Sequence, residues 1–91
     1  MSTVEIPADL GIEAAEPLQA TLRASLLKKA AVQLDVSQVN RLHAASLQVL
    51  AALFKQRSAA GLKTHLQKPS DEFKSAARIS GLSSLFGLTH P

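Results

Sequence analysis

The side chains able to do chemistry gather in one stretch, where Asp35, Ser37, Asn40, Arg41, His43 and Ser46 follow one another within twelve residues. They offer a carboxylate, hydroxyls, an amide, a guanidinium and an imidazole, which suit charge pairing, hydrogen bonding and proton exchange. Catalysis needs more than the right types. No Ser, His and carboxylate signature, P-loop or glycine-rich dinucleotide fingerprint runs through this stretch or any other. His65 and His90 are too scattered for metal-ligand spacing, and a chain without cysteine has no thiolate ligand or thiol nucleophile. The chemistry on offer is therefore recognition, with no cofactor implied.

Those residues must be positioned by what flanks them. Val32 to Leu50 opens with a β-branched, alternating apolar run, crosses a polar turn at Ser37 to His43, and continues with apolar residues at helical spacing. That is a buried strand, a connection and a helix. In an open α/β sheet, the place where a strand ends and the next helix begins is where ligands and partners dock. Val32, Leu34 and Val36 face one way and Ala31, Gln33 and Asp35 the other, with Asp35 expected at the strand's mouth.

Composition bounds the rest. Ninety-one residues suit one small domain, 1–91, with one core and little room for a deep cleft. Leu and Ala supply most of the apolar mass, and three Phe without Trp or Tyr leave no aromatic platform for stacking bases or sugars. The charge of +3 is spread over Arg23, Lys28, Lys29, Arg41, Lys55, Arg57, Lys63, Lys68, Lys74 and Arg78, with no basic block. Nucleic acid is thus not the expected partner. The start of the chain lacks the basic and apolar regions of a secretory signal, and no apolar run reaches spanning length. A cytoplasmic protein without membrane insertion is expected, its oligomeric state undetermined.

In order, Thr3 to Ile6 alternates as a first strand ended by Pro7, and Leu10 to Ile12 repeats the alternation as a possible second. Ala14, Leu18, Leu22 and Leu26 recur every four residues, predicting an amphipathic helix of about four turns that begins near Ala15 or Glu16, since Pro17 is tolerated only in a first turn. Ala31 to Val36 is the central strand. Ala44 to Ala60 is a helix with a wide apolar arc, with Lys55, Gln56 and Arg57 expected to turn outward and Gly61 just past its end. Leu62 to Gln67 alternates as a strand, and Ser70 caps a helix running to about Ser80. Leu82, Leu85, Phe86 and Leu88 form an apolar tail, either an interface or a last layer of core. Strands alternating with helices give an α/β fold in which a largely parallel sheet of about four strands packs with three helices.

The runs LDVSQVNRLHAASLQVL and AAGLKTHLQKPSDEFKSAARISGLSSLF resemble the STAS domain, the fold of anti-sigma factor antagonists. The likeness extends from about Val4 to Leu88, with Ala8-Asp9-Leu10 at the family's usual Gly-Glu-Leu. It rests on joint order: a strand ending in an acidic-apolar-Ser pattern, an apolar turn, a helix start, a Gly-led strand, a Pro-Ser helix and a closing Gly-Leu. In the family's phospho-switching members that helix start reads Asp-Ser/Thr-Ser/Thr-Gly, and its second hydroxyl accepts phosphate from a partner kinase. Here it reads His43-Ala44-Ala45-Ser46, which leaves a methyl at the acceptor position. Ser46, at the family's glycine position, points elsewhere by about 100° and is expected to be a solvated hydroxyl near the helix start.

The resemblance implies a non-catalytic module that binds a protein partner through Asp35, Ser37, Asn40, Arg41, His43, Ala44, Ala45 and Ser46. That partner would be a GHKL-type kinase or ATPase, either an anti-sigma kinase or a chemotaxis histidine kinase. The alternative makes the chain the STAS subunit of a lipid-transport ABC complex that binds its ATPase.

Overall fold

Pro7 separates two short strands, β1 (Ser2–Glu5) and β2 (Asp9–Leu10), in the computed structural model of the protein, which describes residues 2–88. A 3-10 turn at Ile12–Ala14 leads into α1 (Ala15–Arg23), followed by β3 (Val32–Asp35), β4 (Arg41–Leu42), α2 (Ala44–Ala59), β5 (Thr64–Gln67) and α3 (Asp71–Ile79). The long strands form a parallel sheet ordered β1-β3-β5, with Ser2 opposite Val32 and Val32 opposite Thr64. The two shortest strands form a parallel ladder of their own, Asp9 opposite Arg41 and Leu10 opposite Leu42.

The expected α/β architecture with three helices and a largely parallel sheet is what the chain adopts. Its strands divide differently, because the segment read as a polar turn contains β4, and β4 pairs with β2 outside the main sheet. Two residues carry no readable alternation, so that pairing had no local signal.

All the long helices pack on one face of the main sheet. Val32, Leu34 and Val36 are buried there with Leu18 and Leu22 of α1, Leu47, Leu50, Ala51, Leu53 and Phe54 of α2, and Phe73 and Ala77 of α3. The opposite face is open and polar. Gln33 lies between Thr3 and His65, and Asp35 between Glu5 and Gln67, all exposed or half-buried. Asp35 is thus both the last residue of β3 and part of a solvated sheet face, which explains a Gln and an Asp on a central strand. Parallel sheets are usually covered on both sides, and here polar side chains take the place of a second layer.

Two helix expectations are corrected. The first helix, expected to run about four turns, ends at Arg23 after nine residues, and Ala14 belongs to the preceding 3-10 turn. Beyond it the chain tightens, with Ser25 N–H donating to the Leu22 carbonyl at 3.0 Å and Leu26 N–H to the Arg23 carbonyl at 3.2 Å. The reason lies in Arg57, which was expected to face outward and is instead 0 % exposed. Its guanidinium draws in the carbonyls of Ser25 at 2.7 Å, Lys28 at 2.9 Å, Ala30 at 3.1 Å and Lys63 at 2.9 Å, while Nε donates to Thr64 Oγ1 at 2.8 Å. Carbonyls turned toward a cation cannot continue a helix.

The remaining ends follow local rules. Gly61, at φ +75°, takes the left-handed position after α2. Ser70 Oγ accepts the Phe73 N–H at 3.1 Å at the start of α3. The apolar tail is a last layer of core: Phe86 is buried, meeting the rings of Phe54 at 5.0 Å and Phe73 at 5.3 Å edge-on, with Leu82, Leu85 and Leu88 packed against the same cluster.

Candidate functional site

The loop between β3 and α2 is held at three levels. At its start, Asp35 Oδ1 accepts the Ser37 N–H at 3.0 Å and the Ser37 hydroxyl at 2.7 Å. The Ser37 hydroxyl, then its N–H, then the more distant charge of Lys68 hold the Asp35 carboxyl below its ordinary value of 3.8. In the middle, Val36 and Val39 are buried and joined by a 3.3 Å bond from Val39 N–H to the Val36 carbonyl. At its end the loop lies along residues 8–10: the Asn40 and Arg41 N–H groups both donate to the Ala8 carbonyl, at 2.9 and 3.3 Å, and His43 N–H donates to the Leu10 carbonyl at 2.8 Å. Arg41 Nη1 pairs with Asp9 Oδ2 at 3.3 Å across the exposed side of this ladder.

The helix start is built by His43. Its backbone is extended and its Nδ1 accepts the Ala45 N–H at 3.0 Å, so an imidazole does the capping for which Ser, Thr, Asp or Asn is usual. Ala44 and Gln48 are then exposed and Ala45 is half-buried, giving a small, uncharged helical face beside Arg41 and His43. Ser46 departs from expectation. It is 0 % exposed, and its hydroxyl donates to the Gly11 carbonyl at 3.3 Å. Gly11 is itself buried, so the 3-10 turn before α1 and the first turn of α2 meet backbone to side chain. A solvated hydroxyl at Ser46 is excluded by this packing.

Of the residues singled out by sequence, the fold brings Asn40, Arg41, His43, Ala44 and Ala45 to one surface. Asp35 and Ser37 form the turn that launches it, and Ser46 faces the interior. Sequence reasoning gave no site role to Asp9 or Gly11. Asp9 Oδ1 accepts the Gly11 N–H at 3.0 Å while Oδ2 meets Arg41, and the Asp-x-Gly spacing was the available signal. His65 lies beside Gln33 on the open sheet face, away from the loop 37–43, and His90 lies outside the described residues.

Shallow grooves lie along α2 and beside β4. One of about 130 Å³ lies between α1 and α2, lined by Gln19, Leu22, Leu26, Val49, Ala52 and Gln56. The other, about 430 Å³, runs between β4 and α3 past Asn40, Leu42, Asp71, Ser75 and the exposed Ile79. Neither sets a nucleophile against a base. Among the described residues, no three His, Asp or Glu side chains come together as metal ligands. Among the described residues, no helix is long and apolar enough to cross a membrane.

A family model described as Mlab, STAS domain matches residues 1–88. The chain belongs to the STAS domain family. The fold agrees: the protein TM1081, solved by NMR, superposes with a TM-score of 0.73 at 21% identity, over 91% of this chain and 68% of that one. No curated protein matches the sequence. STAS domains mediate protein interactions and are generally non-catalytic, which accords with a site rich in hydrogen-bonded backbone and poor in reactive pairs.

Proposed function

We propose that this STAS domain is a non-catalytic, cytoplasmic interaction module that grips a regulatory GHKL-type kinase through the loop 37–43 and the start of α2. The kinase is a chemotaxis histidine kinase or an anti-sigma kinase. One observation carries the reading. The helix start is fixed by the His43 cap and by bonds to Ala8 and Leu10, and it presents the Ala44 and Ala45 methyls outward while the Ser46 hydroxyl is turned into the core. A preorganised surface of small side chains lets a partner approach closely at little entropic cost. It offers no exposed hydroxyl at Ala44, Ala45 or Ser46 for phosphoryl transfer, so the grip is not released in the manner of the family's phospho-switching members.

Ala45→Asp tests this. Ala45 is the second residue of α2, where an acidic side chain favours the helix dipole, so the variant keeps its fold. In the complex the same carboxylate is desolvated without a counter-charge, and affinity measured by calorimetry falls at least about thirtyfold. Unchanged affinity in a folded variant would remove this surface from the interface. A second reading, in which the same surface holds the ATPase subunit of a lipid-transport ABC complex, draws on the matching family model, whose description names no kinase. Copurification from the native cell separates the two, since each predicts a different ATPase.

A further inference from the structure

The fold confines its carboxylates to one pole, where Arg41, Lys68 and Lys74 accompany them. All seven carboxylates lie where strands stop and helices start: Glu5 and Asp35 end β1 and β3, Asp9 opens β2, Glu13 and Glu16 precede and begin α1, and Asp71 and Glu72 open α3. The opposite pole, where α1 ends and β3 and β5 begin, carries Arg23, Lys28, Lys29 and Lys63, and among the described residues no carboxylate. Helix dipoles account for acids at helix starts and for Arg23 at a helix end. They do not account for Lys28, Lys29 and Lys63, which lie in connections between elements.

Leu27 stands among these cations and is 74 % exposed. An exposed leucine alone is ordinary. Here the backbone on both sides of it is pinned, because the carbonyls of Leu26, Lys28 and Ala30 all accept from the buried Arg57 guanidinium. Lys63 joins the same cage through its own carbonyl, and Lys28 Nζ donates to Ser2 Oγ at 2.9 Å, so the lysines share one surface around the leucine. The loop holds an apolar tip in water, next in sequence to Lys28 and Lys29 and with the Lys63 backbone drawn to the same hydrogen-bonded base.

We propose that this pole docks on an anionic lipid bilayer, with Leu27 entering the interfacial region and Arg23, Lys28, Lys29 and Lys63 among the lipid phosphates. Phe54, Phe73 and Phe86 are all buried, so no ring is free to stack on bases, which favours a lipid surface over single-stranded nucleic acid. The loop 37–43 lies at the other pole and stays open to a partner. The two proposals therefore stand or fall separately.

The test is co-sedimentation of the purified chain with vesicles of phosphatidylcholine alone and of phosphatidylcholine mixed with phosphatidylglycerol. Binding is expected only to the mixed vesicles and weakens as salt is raised. Each near-surface lysine contributes about a fivefold factor to such partitioning, so Lys28→Gln with Lys29→Gln lowers it about thirtyfold. Leu27→Ser lowers it severalfold without changing charge. Lys68→Gln with Lys74→Gln removes the same charge away from the pole and has a much smaller effect, circular dichroism confirming the fold of each variant. No partition onto mixed vesicles, equal loss in the two lysine pairs, or retention of duplex DNA in a gel shift without vesicle binding would each overturn the proposal.

Discussion

Replacing Arg57 with leucine should destabilise the protein by about 4 kcal/mol, a large share of the roughly 5–15 kcal/mol that holds a domain of this kind together. Arg57 is fully buried with no carboxylate partner among the described residues, and burial lowers its pKa from the usual guanidinium value. Its charge is stabilised by peptide carbonyls and the Thr64 hydroxyl, which together use all its N–H donors. Leucine restores apolar volume but no donor. The 2.7 Å bond to the Ser25 carbonyl is the buried one; that carbonyl keeps a 3.3 Å bond from the Lys28 N–H, and losing its charged donor costs about 2 kcal/mol. The bonds to Leu26, Lys28, Ala30 and Lys63 are partly buried, so water recovers some of each, leaving about 0.5 kcal/mol apiece. Arg57→Lys keeps the charge with fewer, differently placed donors and should fall between the two. Urea unfolding monitored by circular dichroism gives the stabilities, and amide exchange should show residues 25–31 opening before the sheet. A leucine variant within about 1 kcal/mol of the parent would refute the reasoning, because it would mean the carbonyls are rehydrated at no cost.

Asp35 gives a pH prediction. Its folded-state pKa is depressed by the Ser37 hydroxyl first, so its contribution is present at neutral pH and is lost as pH falls below 3.8 through the lower folded value. An NMR titration of the Asp35 carboxyl should show a midpoint below 3.8, and Asp35→Asn should remove this part of the acid sensitivity; a midpoint at or above 3.8 would contradict the turn geometry. Ser46→Ala should cost only about 1 kcal/mol in urea unfolding, one neutral bond to the Gly11 carbonyl. Incubation of the native protein with a cognate kinase should leave Ser46 without phosphate by mass spectrometry, whereas stoichiometric phosphate there would show that α2 opens far more readily than its packing allows.

Much of the fold was legible because it rests on periodicity. The alternation Val32, Leu34, Val36 and the wide apolar arc of α2 placed the central strand and its helix correctly, since burial against a single core imposes those spacings. What stayed hidden depends on contacts distant in sequence. Arg57 reads as one of three polar residues at the end of an amphipathic helix, and nothing within several positions shows that a loop 27 to 32 residues earlier will close around it. Ser46 reads as a hydroxyl near a helix start, yet its side chain is decided by Gly11, 35 residues earlier. At the site, Asp35 at the mouth of the central strand followed from local order, while the Asp9 to Arg41 pair needed the β2 and β4 ladder that no pattern announces.

The contrast between Ala45 and Ser46 bears on how the site can be regulated. Neighbouring helical residues differ by about 100° in direction. At the start of α2 that rotation separates a half-exposed methyl from a hydroxyl with no solvent access. Moving a phosphate onto Ser46 would require the first turn of α2 to lift from Gly11, breaking the His43 cap and the bond from His43 N–H to the Leu10 carbonyl along with it. Those contacts also fix the outward face on which partner binding depends in the reading given above. A switch at Ser46 would thus have to dismantle the surface it was meant to control, whereas a switch at position 45 would leave the backbone untouched. On that geometry, control of the grip belongs to the partner or to the rest of this chain's surface, and the hydroxyl that remains near the helix start serves packing.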